Sequence, residues 1–187
     1  MPRKPAHLRM MNKAVDYLGR YASSRHKLAQ ILQRFATRKL TDYDPDDIAA
    51  AIQQTIDHCS KLGYLDDQQF AVTVALSQRR LGRSQAVIRQ HLRQHALDDD
   101  VIAKALAEAD ENRAKGDLQA AIRFAQRRRL GPFAQRRNAH HQRLDTHQWK
   151  QRDLGAMARA GFSMATSRLV LDHEDPDTID DLLCQTD

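Results

Sequence analysis

Apolar residues recur every three or four positions through most of this chain, which places their side chains on single faces of helices. No segment shows the sustained alternation of apolar and polar residues that is typical of a strand. Nine series follow one another: Leu8, Met11, Val15, Leu18 and Ala22; Leu28, Ile31, Leu32 and Phe35; Ile48, Ile52, Ile56 and Cys59; Phe70, Val74 and Leu81; Ile88 and Leu92; Ile102, Ala105, Leu106 and Ala109; Leu118, Ala121, Ile122 and Ala125; Leu154, Met157 and Ala158; Thr166, Leu169 and Val170. The pattern predicts an all-α protein.

Residues that begin or end helices separate these series. Serine and aspartate side chains accept hydrogen bonds from the first free N–H groups of a helix, and glycine adopts the left-handed conformation that often ends one. The predicted starts are Ser23 or Ser24, Asp44 before Pro45, Asp66 with Gln69, Ser84, Asp98 to Asp100, and Ser163. The predicted ends are Gly63, Gly82, Gly161 and the stretch from Leu130 to Phe133. These boundaries agree with the apolar periods.

One helical segment is repeated. Residues 20–36 recur without a gap sixty positions later. The matched residues are Arg20, Ser24, Leu28, Gln30, Leu32 and Ala36 over Arg80, Ser84, Ile88, Gln90, Leu92 and Ala96. The corners Ala96-Leu97 and Gly161-Phe162 also align and indicate a third, degenerate copy. Tandem helical repeats present an extended surface, and proteins built from them usually bind long partners.

We therefore expect an elongated array of three tandem three-helix repeats, which are helix-turn-helix-like units. Residues 1–65 should contain the N-terminal helix and the first repeat, 66–110 the second, and 111–171 the third. A polar insertion near 134–148 has no apolar period and is predicted to be a linker or a solvated helical extension. Residues 172–187 form an acidic C-terminal tail.

Composition favours a cytoplasmic protein. The hydrophobic content is 41%, and no run of residues approaches the length of a spanning helix, so no membrane association is expected. The first seven residues are basic but lack the apolar stretch and cleavage site of an export signal. Cys59 and Cys184 are far apart, and Cys59 lies on the apolar face of a predicted helix, which fits free thiols in a reducing compartment. We expect a monomer.

Charge is distributed unevenly along the chain. All 30 Lys and Arg residues lie at or before Arg168, whereas seven of the 24 acidic residues follow Leu171. The part that precedes the tail is therefore more basic than the net charge of +6 indicates. A basic body of this kind favours a polyanion or an acidic protein surface as partner. The tail is interpreted as a solubilising end, with competition for the anionic partner as the alternative.

No residue pattern points to catalysis, a metal or a cofactor. Asp66 and Asp67 could be taken for a metal-binding pair, but Asp66 is already explained as a helix cap. The histidines of the polar insertion, His140, His141 and His147, fit no helix-face pair and have no cysteine or carboxylate cluster beside them. The chain has neither a phosphate-binding glycine loop nor a nucleophile with a partner base. We expect a protein that is not an enzyme.

Two arginine clusters are the candidate contact residues. Arg79, Arg80 and Arg83 lie at the corner between the first two copies of the repeat, and Arg127, Arg128 and Arg129 lie at the end of the seventh helix. Cations near a helix C-terminus are also favoured by the helix dipole, so a structural role is the alternative. Among the six, Arg83 and Arg128 are the stronger candidates for contact with a partner or DNA.

A motif that begins at Gly63 and two later motifs resemble those of a known family. The stretch Gly63, Tyr64, Leu65, Asp66, Asp67, Gln68, Gln69, Phe70 and Ala71 is followed by Arg79 to Arg83 and later by Arg159, Ala160, Gly161, Phe162 and Ser163. This combination resembles the RecX family of bacterial recombination regulators over roughly Val15 to Leu171. Gly63, Tyr64, Leu65, Asp66, Asp67, Phe70, Gly161 and Phe162 are its signature positions here, with mainly structural roles.

The resemblance to RecX implies a curved, all-helical array of three three-helix repeats. It also implies that the partner is the RecA recombinase filament on single-stranded DNA, and that the protein modulates, mainly by inhibition, the ATPase, strand-exchange and coprotease activities of RecA in DNA repair and the SOS response. Weak non-specific DNA binding is compatible with this. Two other interpretations stay open, an autonomous helical-repeat DNA-binding protein and a scaffold for an unrelated acidic protein.

Overall fold

The computed structural model describes residues 5–111, 116–134 and 146–183. Within these ranges the chain forms α-helices and two short 3-10 helices, and it forms no strand. The α-helices are α1 (Ala6–Leu18), α2 (Arg25–Lys39), α3 (Pro45–Lys61), α4 (Asp67–Arg80), α5 (Gln85–Arg93), α6 (Asp99–Glu111), α7 (Gly116–Arg128), α8 (Thr146–Arg159) and α9 (Met164–Leu171), and the 3-10 helices span Gly131–Ala134 and Ile179–Leu183. The prediction of an all-α fold is confirmed.

The helices begin at the capping residues that the sequence indicates. The Ser24, Ser84 and Ser163 hydroxyls each accept a hydrogen bond from the backbone N–H three residues later, at 3.2, 3.3 and 3.0 Å. Asp44 and Asp66 cap α3 and α4 with their carboxylates. Since capping is a local interaction, each of these starts could be predicted from a few neighbouring residues.

Each successive group of three helices encloses a separate apolar core. We call these groups the first unit (α1 to α3), the second unit (α4 to α6) and the third unit (α7 to α9). Fully buried side chains include Met10, Leu28, Leu32 and Cys59 in the first unit, Ala75, Ile88, Leu92 and Ile102 in the second, and Ala121, Met157 and Val170 in the third. The chain is therefore a tandem array of helical repeats, while the residue limits inferred from the sequence stay a prediction.

Helix α1 buries a face that only partly overlaps the one predicted, since Met11 and Leu18 of the predicted series do pack against the core. Leu8 and Val15 are about half exposed, at 48% and 49%, whereas Met10 and Ala14 are fully buried. Both sets have helical spacing, because α1 carries apolar residues on two sides. The side that faces the core is decided by the packing of α1 on α2 and α3, and the spacing within α1 carries no information about that choice.

Two further expectations need correction. The apolar series of α4 predicts that Phe70 is buried, but its side chain is only partly buried, with its ring centroid 5.0 Å from that of His95. The acidic tail is not wholly a solvated end, because Ile179 in its 3-10 helix is 1% exposed and packs on the core of the third unit. Of the polar insertion, Ala134 ends the first 3-10 helix, Thr146 to Gln148 begin α8, and 135–145 lie outside the described residues.

Successive units are joined by the same pair of hydrogen bonds. At the first joint, the N–H of Arg25 donates to the Asp67 carboxylate at 2.9 Å, and the Ser24 hydroxyl donates to the carbonyl of His95 at 3.5 Å. In both bonds the donor lies at the start of α2 and the acceptor lies in the second unit. A helix start in one unit is thus completed by groups of the next unit.

The second joint repeats this arrangement. The N–H of Gln85 donates to the Asp117 carboxylate at 2.6 Å, and the Ser84 hydroxyl donates to the carbonyl of Ala160 at 2.7 Å. The next residue, Gly161, has φ of +81°, and a Cβ placed on it would lie 2.6 Å from the Ser84 hydroxyl oxygen. Glycine is favoured there by the backbone conformation and by the close approach of the two units, although the equivalent residue of the first joint, Ala96, adopts φ of +51° with a side chain.

The core of the second unit predicts a large cost for truncating Ile88. This side chain is fully buried, so Ile88→Ala should lower the free energy of unfolding by about 2 to 5 kcal/mol. Phe70→Ala should lower the free energy of unfolding by less than the same substitution at a fully buried Phe, because Phe70 keeps part of its surface in water. Urea unfolding followed by circular dichroism measures both, and the exposed Leu169→Ala is the control. A loss below about 0.5 kcal/mol for Ile88→Ala would show that the helix face is misplaced.

His95 predicts a loss of stability in mild acid. Burial lowers the pKa of His95, and the nearby His91, Lys27 and His26 lower it further. Since the folded chain then binds fewer protons than the unfolded chain, the His95 contribution is complete above about pH 6.5 and declines as the pH falls through the folded-state pKa. His95→Gln should remove this part of the decline in urea unfolding measured between about pH 7.5 and pH 5. The exposed His58→Gln should not, and equal pH profiles for all three proteins would contradict the assignment.

Candidate partner-binding cleft

A tight corner between α4 and α5 presents Arg83 beside the third unit. Gly82 has φ of +69°, and a Cβ placed on it would lie 3.3 Å from the carbonyl oxygen of Ala120 in α7. The N–H of Arg83 donates back to the carbonyl of Gln78 at 3.1 Å and closes the helix end. The corner can approach α7 this closely because Gly82 has no side chain.

A buried arginine holds the same corner from inside. Arg79 is 3% exposed, and its guanidinium contacts the Asp110 carboxylate at 2.7 and 3.0 Å and the Asp117 carboxylate at 2.7 Å. It also donates to the carbonyl of Arg83 at 3.2 Å. Burial acts to lower the pKa of Arg79, but hydrogen bonds and charges from the two aspartates outweigh it and keep the pKa above its ordinary value. Arg79 thus links α4, α6 and α7 and positions Arg83.

The outer side of the corner is held by α7. The guanidinium of Arg127 donates to the carbonyl of Leu81 at 2.8 Å. Arg127 and Arg128 both lie over the ring of Phe124 with their guanidinium carbons 5.9 Å from its centroid. Phe124 in turn packs on Phe162, with ring centroids 5.6 Å apart. The end of α7 is therefore fixed against both the corner and the core of the third unit.

Arg83 and Arg128 meet two further arginines in a cleft of about 370 Å³ between the second and third units. Arg152 and Arg159 come from α8 and complete what we call the arginine cleft. The remaining lining residues are Phe124, Leu130, Asp153, Ala156 and Ala160. Arg152 and Arg159 were not among the predicted contact residues. Their separation of seven residues puts them on one face of a helix, and this was the signal that could have identified them.

The arginine cleft carries uncompensated positive charge. Among the described residues, no carboxylate lies within ion-pair distance of any of the four guanidinium groups. The cleft contains one acidic side chain, the buried Asp153, whose carboxylate accepts the N–H of Gly131 at 2.9 Å. Arginine recognises phosphate and carboxylate groups with paired N–H donors. The arrangement is therefore suited to binding an anionic group of a larger partner.

The six predicted contact arginines do not form one surface. The predicted contact of Arg79 with a partner needs correction, because its side chain is buried and paired with two aspartates and cannot be presented to a partner. Arg83 and Arg128 line the cleft together, as described above. Arg80, Arg127 and Arg129 are exposed and do not line it. Contact of any of these exposed arginines with a partner stays a prediction.

The signature positions from Gly63 to Asp67, which lie between α3 and the start of α4, serve the fold. Leu65 is buried, Asp66 caps α4, and Asp67 accepts the hydrogen bond of the first joint. Gly63 ends α3 with φ of +75°, while Tyr64 beside it is 58% exposed. Only Tyr64 among these five thus has a side chain without an evident structural task.

The described ranges contain no side-chain group suited to a metal ion. No three His, Cys, Asp or Glu side chains in 5–111, 116–134 or 146–183 are grouped so that they could hold a metal ion. His140 and His141 lie outside these residues. Among the helices described, none is long and apolar enough to cross a membrane.

Comparison with known proteins gives one consistent family. The family model of the RecX second three-helix domain matches residues 66–106. The regulatory protein RecX of Myxococcus xanthus (strain DK1622) is 32% identical over 173 residues, which is 91% of this chain and 88% of that protein. The regulatory protein RecX of Stenotrophomonas maltophilia (strain R551-3) is 31% identical over 142 residues, 73% of this chain and 78% of that protein.

Solved structures show the same fold. A crystal structure of a regulatory protein RecX superposes with a TM-score of 0.65 at 17% identity, and the match covers 90% of this chain and 72% of the chain in that structure. The crystal structure of RecX from Lactobacillus salivarius superposes with a TM-score of 0.64 at 16% identity and covers 97% and 98%.

The buried Arg79 and the exposed Arg83 predict effects of very different size on stability. Arg79→Met keeps most of the side-chain volume but leaves two partly buried aspartates without their cation, so it should lower the free energy of unfolding by about 3 kcal/mol. Arg83→Met at the exposed corner should change it by less than about 0.5 kcal/mol. Urea unfolding of both variants gives the comparison. Similar losses in the two would mean that Arg79 is not the structural centre of the corner.

Proposed function

Since the chain belongs to the RecX family of regulatory proteins, we propose that it binds the RecA recombinase filament on single-stranded DNA and restrains the ATPase, strand-exchange and coprotease activities of RecA. The observation that carries this proposal is the arginine cleft. Its four guanidinium groups have no carboxylate partner among the described residues and lie where two units meet, which suits an anionic, extended partner. The tandem array supports the proposal further, since such arrays bind partners along their length.

The partner groups that the cleft would meet are phosphates of the filament DNA or carboxylates of RecA. Both are anions that arginine binds in a bidentate manner, but they differ in their response to salt. Contacts with DNA phosphates release condensed counterions, so each contributes about 0.9 to the slope of log K against log salt on duplex DNA and about 0.7 on a single strand. The salt slope of filament binding therefore distinguishes the two.

We also propose that the chain is not itself an enzyme. The arginine cleft holds cations and one buried aspartate that is committed to a backbone N–H, which is not an arrangement of acid, base and nucleophile. Any change in ATP turnover in its presence would then arise in the active site of RecA.

Inhibition of RecA is expected at less than stoichiometric amounts of this protein. If it blocks extension of the filament, one bound molecule silences many subunits, and the DNA-dependent ATPase of RecA from the same organism should fall steeply. The assay follows ATP hydrolysis on single-stranded DNA with increasing protein, with strand exchange and repressor cleavage measured in parallel. No change in any of the three at stoichiometric protein would refute the proposal. Equal affinity for naked DNA and for the filament would favour an autonomous DNA-binding protein.

Charge reversal in the arginine cleft should weaken filament binding. Arg83→Glu with Arg128→Glu places two carboxylates where anions are expected, and it should reduce the log–log salt slope by about one unit for each phosphate that is no longer bound. The matched control is Lys61→Glu with Lys104→Glu, which reverses the same number of exposed charges away from the cleft. Binding is measured by fluorescence anisotropy at several salt concentrations. Equal weakening in both double variants would show that net charge alone is responsible.

A further inference from the structure

The two joints of the array repeat the same hydrogen bonds, but the lengths of these bonds differ. The shared serine hydroxyl bond measures 3.5 Å at the first joint and 2.7 Å at the second, and the shared bond to aspartate measures 2.9 and 2.6 Å. The bonds at the first joint are thus longer in both positions, and its serine bond is at the limit of a hydrogen bond.

Among the described residues, only the second joint has additional bonds from arginine side chains. Arg79 crosses it from α4 to Asp117 in α7, and Arg127 crosses it in the opposite direction to the carbonyl of Leu81. Arg79 is 3% exposed and Asp117 is 30% exposed, so water competes less for this ion pair than for one at the surface. Two buried or charge-assisted contacts therefore reinforce the shared pair of bonds.

The first joint lacks a counterpart to Arg79. In the register of the sequence repeat, where Arg20 corresponds to Arg80, the residue at the position of Arg79 is Gly19, which has no side chain. The arginine that does lie at this joint is Arg25, and its side chain pairs with Asp57 of its own unit. That pair is 41% and 47% exposed and crosses no unit boundary, so its effect on the joint is small.

The first joint also contains an unsatisfied polar group. The Nδ1 atom of His95 is buried and has no hydrogen-bond partner among the described residues. Its ring lies between those of Phe70 and His91, with centroids 5.0 and 5.4 Å away. A buried nitrogen without a hydrogen-bond partner raises the free energy of the closed joint. This cost is removed when the joint opens and water forms a hydrogen bond with the nitrogen.

We infer that the first unit pivots on the first joint, whereas the second and third units move as one body that the contacts of Arg79 with Asp117 and of Arg127 with the Leu81 carbonyl hold together. The pivot is the short stretch from Gly63 to Asp66, with the Ser24 and Arg25 bonds as the contacts that open. The arginine cleft lies wholly on the rigid body. This inference concerns the free chain and does not rest on the partner proposed above.

Spin-label distances across each joint test the inference. Cys59→Ala with Cys184→Ser provides a background without native thiols, and labels are attached in pairs at Arg38→Cys with Lys104→Cys and at Lys104→Cys with Arg168→Cys. All three label positions are exposed on helices of different units. Pulsed dipolar spectroscopy should give a distance distribution about twice as wide across the first joint as across the second. Equal widths, or a wider distribution across the second joint, would overturn the inference.

A second variant tests the role of the buried arginine separately. Asp117→Asn keeps an oxygen that accepts the Gln85 N–H but removes the charge that pairs with Arg79. It should widen the distribution across the second joint towards that of the first and leave the first unchanged, with circular dichroism confirming that the helices remain. An unchanged second distribution would show that Arg79 does not hold the two units together.

Discussion

The stacking of this array depends on the unsatisfied N–H groups at helix starts. Every helix leaves its first N–H groups without intrahelical partners. In α2 and α5 one of these groups is satisfied by the capping serine of the same helix, and another by an aspartate of the following unit, Asp67 or Asp117. Completing a helix and docking the next unit are therefore one event, and separating two units would leave an N–H group and a carboxylate to be solvated again.

Much of this fold was predictable because its determinants are local. The caps at Ser24, Asp66 and Ser84 and the left-handed glycines Gly63 and Gly82 involve residues within one turn of each other. The resemblance to RecX likewise rested mainly on a short run of residues that begins at Gly63. Local signals of this kind can be recognised in a single sequence, and the helices of the structure begin and end at these residues.

The errors arose where one residue's environment is made by distant parts of the chain. Arg79 looks like its exposed neighbours Arg80 and Arg83, and only the approach of α6 and α7 brings Asp110 and Asp117 to it. Helix α1 has apolar residues on two sides, and its own sequence does not say which side meets the core. The arginine cleft was half predicted for the same reason, since α8 contributes Arg152 and Arg159 from beyond the polar insertion.

The recurrence of the serine and aspartate pair has a consequence for how such a chain can change in length. A segment that starts at one capping serine and ends just before the next contains both donors of the first joint, Ser24 and Arg25, but only one of their acceptors, Asp67, because the His95 carbonyl lies beyond it. Duplicating the sixty residues from Ser24 to Arg83 within the gene would thus create a new boundary that has its bond to aspartate but lacks the carbonyl that accepts from the serine. The segment that must be copied to lengthen the array with both hydrogen bonds is therefore longer than the sequence repeat.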